Sequence, residues 1–309
     1  AAERVALAMD ADPRASHRVL LLSDGHANAG VTDAGELARQ AQGLAARGIV
    51  TSAVGIGDGY DELLLGGMAE QGGGRLHDAE RAPEIAEVVL GELFEGRNAL
   101  LERTVLRLVV PASLRAEVVG GWPHRVLPGA IEVRIGMLLP DAPKFVAFRL
   151  HCPAAEVGSE LLIGASAAGV SPDGETEVVS PIMEAAIRFA RGAENNAHPR
   201  DPARSRIVAE AWQAQVLRQA MALNRSGDRR GAEHFLDREL RWFERYVRGL
   251  DGAEALVAEL VLLRRRITEE LSPRLRKEIY AASSNRAFYQ KDLRSAPRPD
   301  LSERLRRDR

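Results

Sequence analysis

The chain has 309 residues, 45% hydrophobic and 28% charged, and a formal net charge of −2. These values are ordinary for globular protein, and the length allows two or three domains. No apolar run approaches the roughly 20 residues of a membrane helix, one cysteine (Cys152) excludes an internal disulfide, and no His/Cys group has zinc-ligand spacing.

The first section, residues 1–97, alternates strand and helix. Residues 1–9 show no signal-peptide pattern, which favours a cytoplasmic location. The apolar run 19–22 reads as a buried strand ending in Ser23-Asp24-Gly25, on a turn that Gly25 allows. Ligands of open α/β sheets sit past the carboxyl ends of their strands, so Asp24 stands where chemistry is expected. A helix over 32–47, with Leu37, Ala41 and Leu44 on one face, stops at Gly48. A second strand, 49–56, ends in Gly55-Ile56-Gly57-Asp58-Gly59. A helix over 61–70, a short strand at 75–78 and a helix over 83–94 complete the section. Strands buried on both faces and alternating with helices predict a partial doubly wound, Rossmann-like parallel sheet.

The second section, 101–191, changes period. Short strands at 104–110, 131–137, 144–150, 160–167 and 183–190 are separated by Pro and Gly turns. This spacing predicts a small antiparallel β-sandwich, with Cys152 as a small core residue.

After the polar linker 194–199 the chain reads as helical over 200–292. Asp201-Pro202 caps a helix carrying Trp212, Val216, Ala220 and Leu223. Two further stripes, Leu236-Leu240-Phe243-Val247 and Leu256-Leu260-Leu263-Ile267, predict an antiparallel helical hairpin. Ser272-Pro273 begins a last, short helix, and the Pro- and Arg-rich segment 295–309 is expected to be disordered. Residues 200–309 hold 25 basic and 17 acidic side chains, against 17 and 27 in the remainder. Interleaving of both signs at helical spacing reads as solvated helix faces, with no nucleic-acid partner implied.

The first section resembles the C-terminal half of a von Willebrand factor type A domain. The residues that carry this are Val19-Leu20-Leu21-Leu22-Ser23-Asp24-Gly25, Gly48 to Gly57, Asp61-Glu62-Leu63-Leu64, Ala69 to Arg75 and Pro83-Glu84-Ile85. The order sheet, sandwich, helices is similar to multidomain bacterial proteins of that family. The resemblance implies a site for Mg²⁺ or another divalent cation, with oxygen ligands from three loops, and a protein partner that completes it through an acidic side chain. Asp24 matches one ligand of that site. The Asp-x-Ser-x-Ser motif that supplies others is not in this sequence, so the chain reads as a fragment that binds little or no metal by itself. The resemblance also implies that the strand at 19–22 lies at an exposed, apolar sheet edge.

Ser23, Gly25 and Asp58 are expected at the rim of such a site, with His26 as a loop residue. Asp58 and Asp61 are also expected to cap the helix that follows them. Trp212, Trp242, Phe243 and Tyr246 are expected to be core. The expected function is a non-enzymatic, metal-assisted protein-binding module. Two alternatives stand beside it. One is a nucleotide-binding α/β enzyme, which the Gly55 to Gly59 loop suggests without a full Gly-x-Gly-x-x-Gly. The other is a cytoplasmic scaffold acting through its helical hairpin.

Overall fold

A computed structural model describes residues 17–288 and 300–307. Strands β1 (His17–Ser23), β2 (Ile49–Ile56) and β3 (Gly73–Ala79) form a parallel sheet in the order β1-β2-β3. Helices α1 (Ala34–Ala46), α2 (Glu62–Gln71) and α3 (Ala82–Arg97) alternate with them. Two neighbours on β2 show why the run is apolar throughout. Ala53 packs with Leu37 of α1 and Leu64 and Leu65 of α2, whereas Val54 packs with Ile85 and Val88 of α3. A strand covered on both faces has no polar side, which is the doubly wound pattern. The helix starts follow side-chain capping: Asp33 accepts from the Glu36 amide at 2.8 Å, and Asp61 does the same for α2. Among the described residues β1 pairs only with β2, and Leu22 is 46% exposed, so the apolar edge is present.

The second section is antiparallel. Strands β4 (Leu101–Val109), β6 (His124–Leu127), β7 (Ala130–Leu138), β9 (Glu160–Val170), β10 (Glu177–Val179) and β11 (Met183–Arg188) form one sheet, with β10 and β11 both paired to β9. Strands β5 (Arg115–Val119) and β8 (Ala147–His151) form a second. Ala116, Val118 and Phe148 of the small sheet meet Leu106, Ile131 and Val133 of the large one. Two strands cover only part of a larger sheet, and helical residues Ala214, Ala287 and Phe288 complete this core. The Trp122 and Phe288 rings meet edge-on at 4.9 Å. Cys152 corrects its expectation: it lies just beyond β8 and is exposed, not core.

The linker holds a short helix, α4 (Gly192–Ala197). Helices α5 (Pro202–Arg225), α6 (Arg229–Val247), α7 (Glu254–Arg266) and α8 (Pro273–Phe288) then share one core, which includes Leu217, Leu236, Phe243, Leu260 and Ile279. The expected stripes on α6 and α7 are both buried there. They do not stand alone as a hairpin, because α5 packs against both α6 and α8. The last helix, expected to be short, is the 16-residue α8. Trp242 is 57% exposed and not core, whereas Phe243 beside it is fully buried. Residues 301–307, expected to be disordered, form α9 (Leu301–Arg307), which buries Leu301 and Leu305 against the helical core. An i, i+4 leucine pair inside an arginine-rich segment is enough to seat one face. The rest of the expected tail, 295–299 and 308–309, lies outside the described residues. No helix among the described residues is long and apolar enough to cross a membrane.

Candidate functional site at the carboxyl rim of the parallel sheet

Asp24 follows the last residue of β1 and is exposed. Its carboxylate has no hydrogen-bond or ion-pair partner among the described residues. The Ser23 hydroxyl turns back on the chain and donates to the Gly25 carbonyl at 3.2 Å. Gly25 corrects its expectation. It does not adopt positive φ, and nothing lies within 4 Å of where a Cβ would stand. The glycine that this rim requires is Gly59 on the neighbouring loop, where a Cβ would fall 2.4 Å from the Asp24 carbonyl oxygen. Gly55 is needed for a similar reason, since a Cβ there would enter the Tyr60 ring.

Asp61 works hardest on the rim. Its Oδ1 accepts from the amides of Leu63 and Leu64 at 3.0 and 3.1 Å, and its Oδ2 accepts from Arg225 of α5 at 2.6 Å. His26 Nδ1 stands 3.7 Å from the same Oδ2. Burial pushes the Asp61 carboxyl up, but the Arg225 guanidinium and the two amides outweigh it and hold it below the ordinary range. Glu62, buried beside it, receives Arg225 at 3.1 Å and Arg276 of α8 at 3.3 Å. The expected cap role of Asp61 is therefore present. Asp58 makes no cap contact. Its side chain is 70% exposed at 3.8 Å from Arg274, and its carbonyl accepts from Lys277 at 2.9 Å.

The carboxyl end of β3 is treated likewise. Asp78, buried, accepts from the Tyr60 hydroxyl at 2.8 Å and from Arg274 at 3.1 Å. Arg274 also reaches Glu80 at 2.8 Å and Glu278 at 3.0 Å. Lys277 lies over the Tyr60 ring at 4.5 Å, and its burial pushes its ammonium below the ordinary lysine range despite nearby Glu62 and Asp58. Four cations of the helical section, Arg225, Arg274, Arg276 and Lys277, thus sit against the rim of the sheet. Sequence reasoning missed all four, because each is one arginine or lysine among many on helices, some 160 to 220 positions from its partner.

A hard divalent cation needs several oxygen ligands in near-octahedral array. Among the described residues no group of three or more His, Cys, Asp and Glu side chains could hold a metal ion. Asp24 is alone, the Ser23 hydroxyl is turned to Gly25, and Asp61 and Asp78 are committed to arginines. The residues present do not fit the ion that the resemblance implies.

Two solved structures share the fold. A von Willebrand factor type A protein from Catenulispora acidiphila matches 82% of this chain and 60% of its own, with a TM-score of 0.59 and 15% identity. The human COPII-coat protein Sec24c matches 92% of this chain and 41% of its own, with a TM-score of 0.55 and 13% identity. The ArnB paralog VWA2 from Sulfolobus acidocaldarius matches 86% and 64%, with a TM-score of 0.47 and 14% identity. This chain spans less than two thirds of the length of each. A match over 92% of the chain takes in the sheet, the sandwich and the helical section together. No protein-family model matches the sequence, and no curated protein does.

Proposed function

We propose that this chain, which has a von Willebrand factor type A-like fold, works as a protein-interaction module and not as an enzyme. The fold itself suggests protein interaction in general. One observation carries the finer reading: the carboxylates of the rim, Glu62 and Asp78 buried and Asp61 half-buried, are satisfied by arginines of the chain's own helical section. Buried carboxylates held this way serve to fasten the helices to the sheet. They are not poised to take a ligand or a proton.

What remains exposed to a partner is the Asp24 carboxylate and Asp58, whose side chain is 70% exposed with Arg274 at 3.8 Å. In the metal-assisted mode an acidic partner group would complete an ion at Asp24. Without an ion these two exposed carboxylates complement a basic group. We therefore assign the rim a partner that presents lysine or arginine, and a mode of binding that needs no divalent cation.

Selection from a displayed random-peptide library tests this. Basic peptides should be enriched on the parent chain in the presence of EDTA, and lost when D24N/D58N is the bait. Enrichment of acidic peptides only when Mg²⁺ is present would restore the metal-assisted mode and overturn this one. Equal enrichment on parent and D24N/D58N would move the interaction surface away from the rim.

A further inference from the structure

A cavity of about 450 Å³ lies at the other end of the parallel sheet, where β2 and β3 begin and the sandwich meets them. Its wall combines the apolar surface of Trp122, Ile135 and Phe288 with Arg134 and Lys144, and it also carries other arginines and five glutamates, of which Glu92 and Glu95 are held by Arg75, Glu132 by Arg125 and Glu70 by Arg218. Arg134 donates to the Gln71 carbonyl at 3.3 Å and to the Gln71 side-chain oxygen. Lys144 donates to the Phe288 carbonyl at 3.1 Å. Neither has a carboxylate partner among the described residues, and every acceptor they reach is neutral. Elsewhere in this chain half-buried cations are matched with acids, as Arg225 and Arg274 are. Glu70, Glu92, Glu95 and Glu132 of the wall are held by other arginines, so Arg134 and Lys144 touch no carboxylate among the described residues; that is costly, and it has a purpose when the charge arrives with a ligand.

The backbone around the cavity is also unusual. Arg103 and Asp141, at φ of 52° and 54°, are the non-glycine residues with positive φ among the described ones. Arg103 is on the cavity wall, and Asp141 lies in the turn between Leu139 and Ala142, which are on it too. The β4–β7 register slips at Thr104 opposite Gly136, again on the wall. Bulges and strained residues concentrate where a fold shapes a site. Burial and the nearby charge of Arg75 hold the Lys144 ammonium down at about 8.

We propose that this cavity receives a small organic oxyanion, a phosphate or carboxylate on an apolar body. Its charge is met by Arg134 and Lys144, and its body lies against Trp122 and Phe288. Calorimetric titration of the full chain with phenyl phosphate, benzoate, inorganic phosphate and benzyl alcohol tests it. One or both phenyl-bearing anions should bind with unit stoichiometry, and more tightly than the other two. Each of R134Q and K144Q should weaken that binding by about tenfold, the loss of one charge-assisted hydrogen bond. K144R should retain most of it, and R81Q, on the exposed start of α3, should change nothing. The comparison of phenyl phosphate with benzoate identifies the anionic group. Circular dichroism establishes that each variant is folded, and if R134Q is not, K144Q and K144R decide. The proposal is overturned if neither phenyl anion binds at millimolar concentration, if benzyl alcohol or inorganic phosphate binds as well as they do, or if the folded glutamine variants bind like the parent.

Discussion

Arg225 on α5 bridges two successive residues of the sheet domain, reaching Asp61 Oδ2 at 2.6 Å and Glu62 Oε1 at 3.1 Å. Asp61 is also the N-cap of α2, so one guanidinium ties a helix start to a helix of the bundle. Removing Arg225 leaves Glu62, whose side chain is only 2% exposed, with the Arg276 contact alone.

R225A should therefore destabilise the chain by about 2–3 kcal/mol, near the range for breaking a buried pair. Urea denaturation at neutral pH measures it. The pH dependence has a definite sign. The folded Asp61 carboxyl lies below its unfolded value, so its contribution is present above the unfolded pKa of about 3.9 and is lost as pH falls through the lower folded value. R225A should flatten this acid limb. An unchanged midpoint and an unchanged acid limb would show the bridge to be ornamental.

Two glycines on the rim should behave oppositely. G59A places a methyl 2.4 Å from the Asp24 carbonyl, a backbone atom that can yield only by moving the loop, and should cost about 1–3 kcal/mol. G25A meets open space at a φ that is not positive and should be neutral or slightly stabilising. Thermal melts of the two variants, side by side, check this. A larger loss in G25A than in G59A would contradict the loop packing described.

Lys144 gives a second pH window. Its folded value of about 8 lies below the unfolded value of about 10.4, so between the two the unfolded chain binds more protons and stability rises with pH. Below about 8 the folded chain bears the cost of a half-buried ammonium. K144M should remove that cost and stabilise the chain by about 1 kcal/mol at neutral pH. The gain should shrink at higher pH. Denaturant midpoints at both pH values measure this. Loss of stability in K144M at neutral pH would mean that the Phe288 carbonyl bond outweighs burial.

The edge of β1 should associate. Leu22 is 46% exposed on a strand that pairs on one side among the described residues, an arrangement that invites another strand. Sedimentation velocity should show concentration-dependent self-association, and L22K should suppress it without changing the melting temperature much. Identical sedimentation of parent and L22K would show that the β1 edge does not drive association.

Much of the architecture could be read from residues alone, because its causes are local. The all-apolar run of β2, the Asp33 and Asp61 caps and the leucine stripes of α6 and α7 each declare themselves within a few positions. The start of α8 was legible in Ser272-Pro273 but its length was not, since its buried face includes Lys277, Ser283 and Ser284, which no hydrophobic pattern reveals. Strands β5 and β6 were hidden by Arg115, Glu117, His124 and Arg125 on short segments. At the rim, Asp24 was legible from the strand that delivers it. The arginines that satisfy its neighbours were not, because their pairing is set by tertiary packing. The role expected of Gly25 belongs to Gly59, a distinction that depends on how two loops approach one another.

Calorimetric titration of Mg²⁺ into the full chain, repeated with D24N, tests most directly whether the rim works without a metal. No saturable binding at millimolar concentration, and no difference between parent and variant, is expected. Saturable binding in the parent that disappears in D24N would contradict this, and would return Asp24 to the role of a metal ligand.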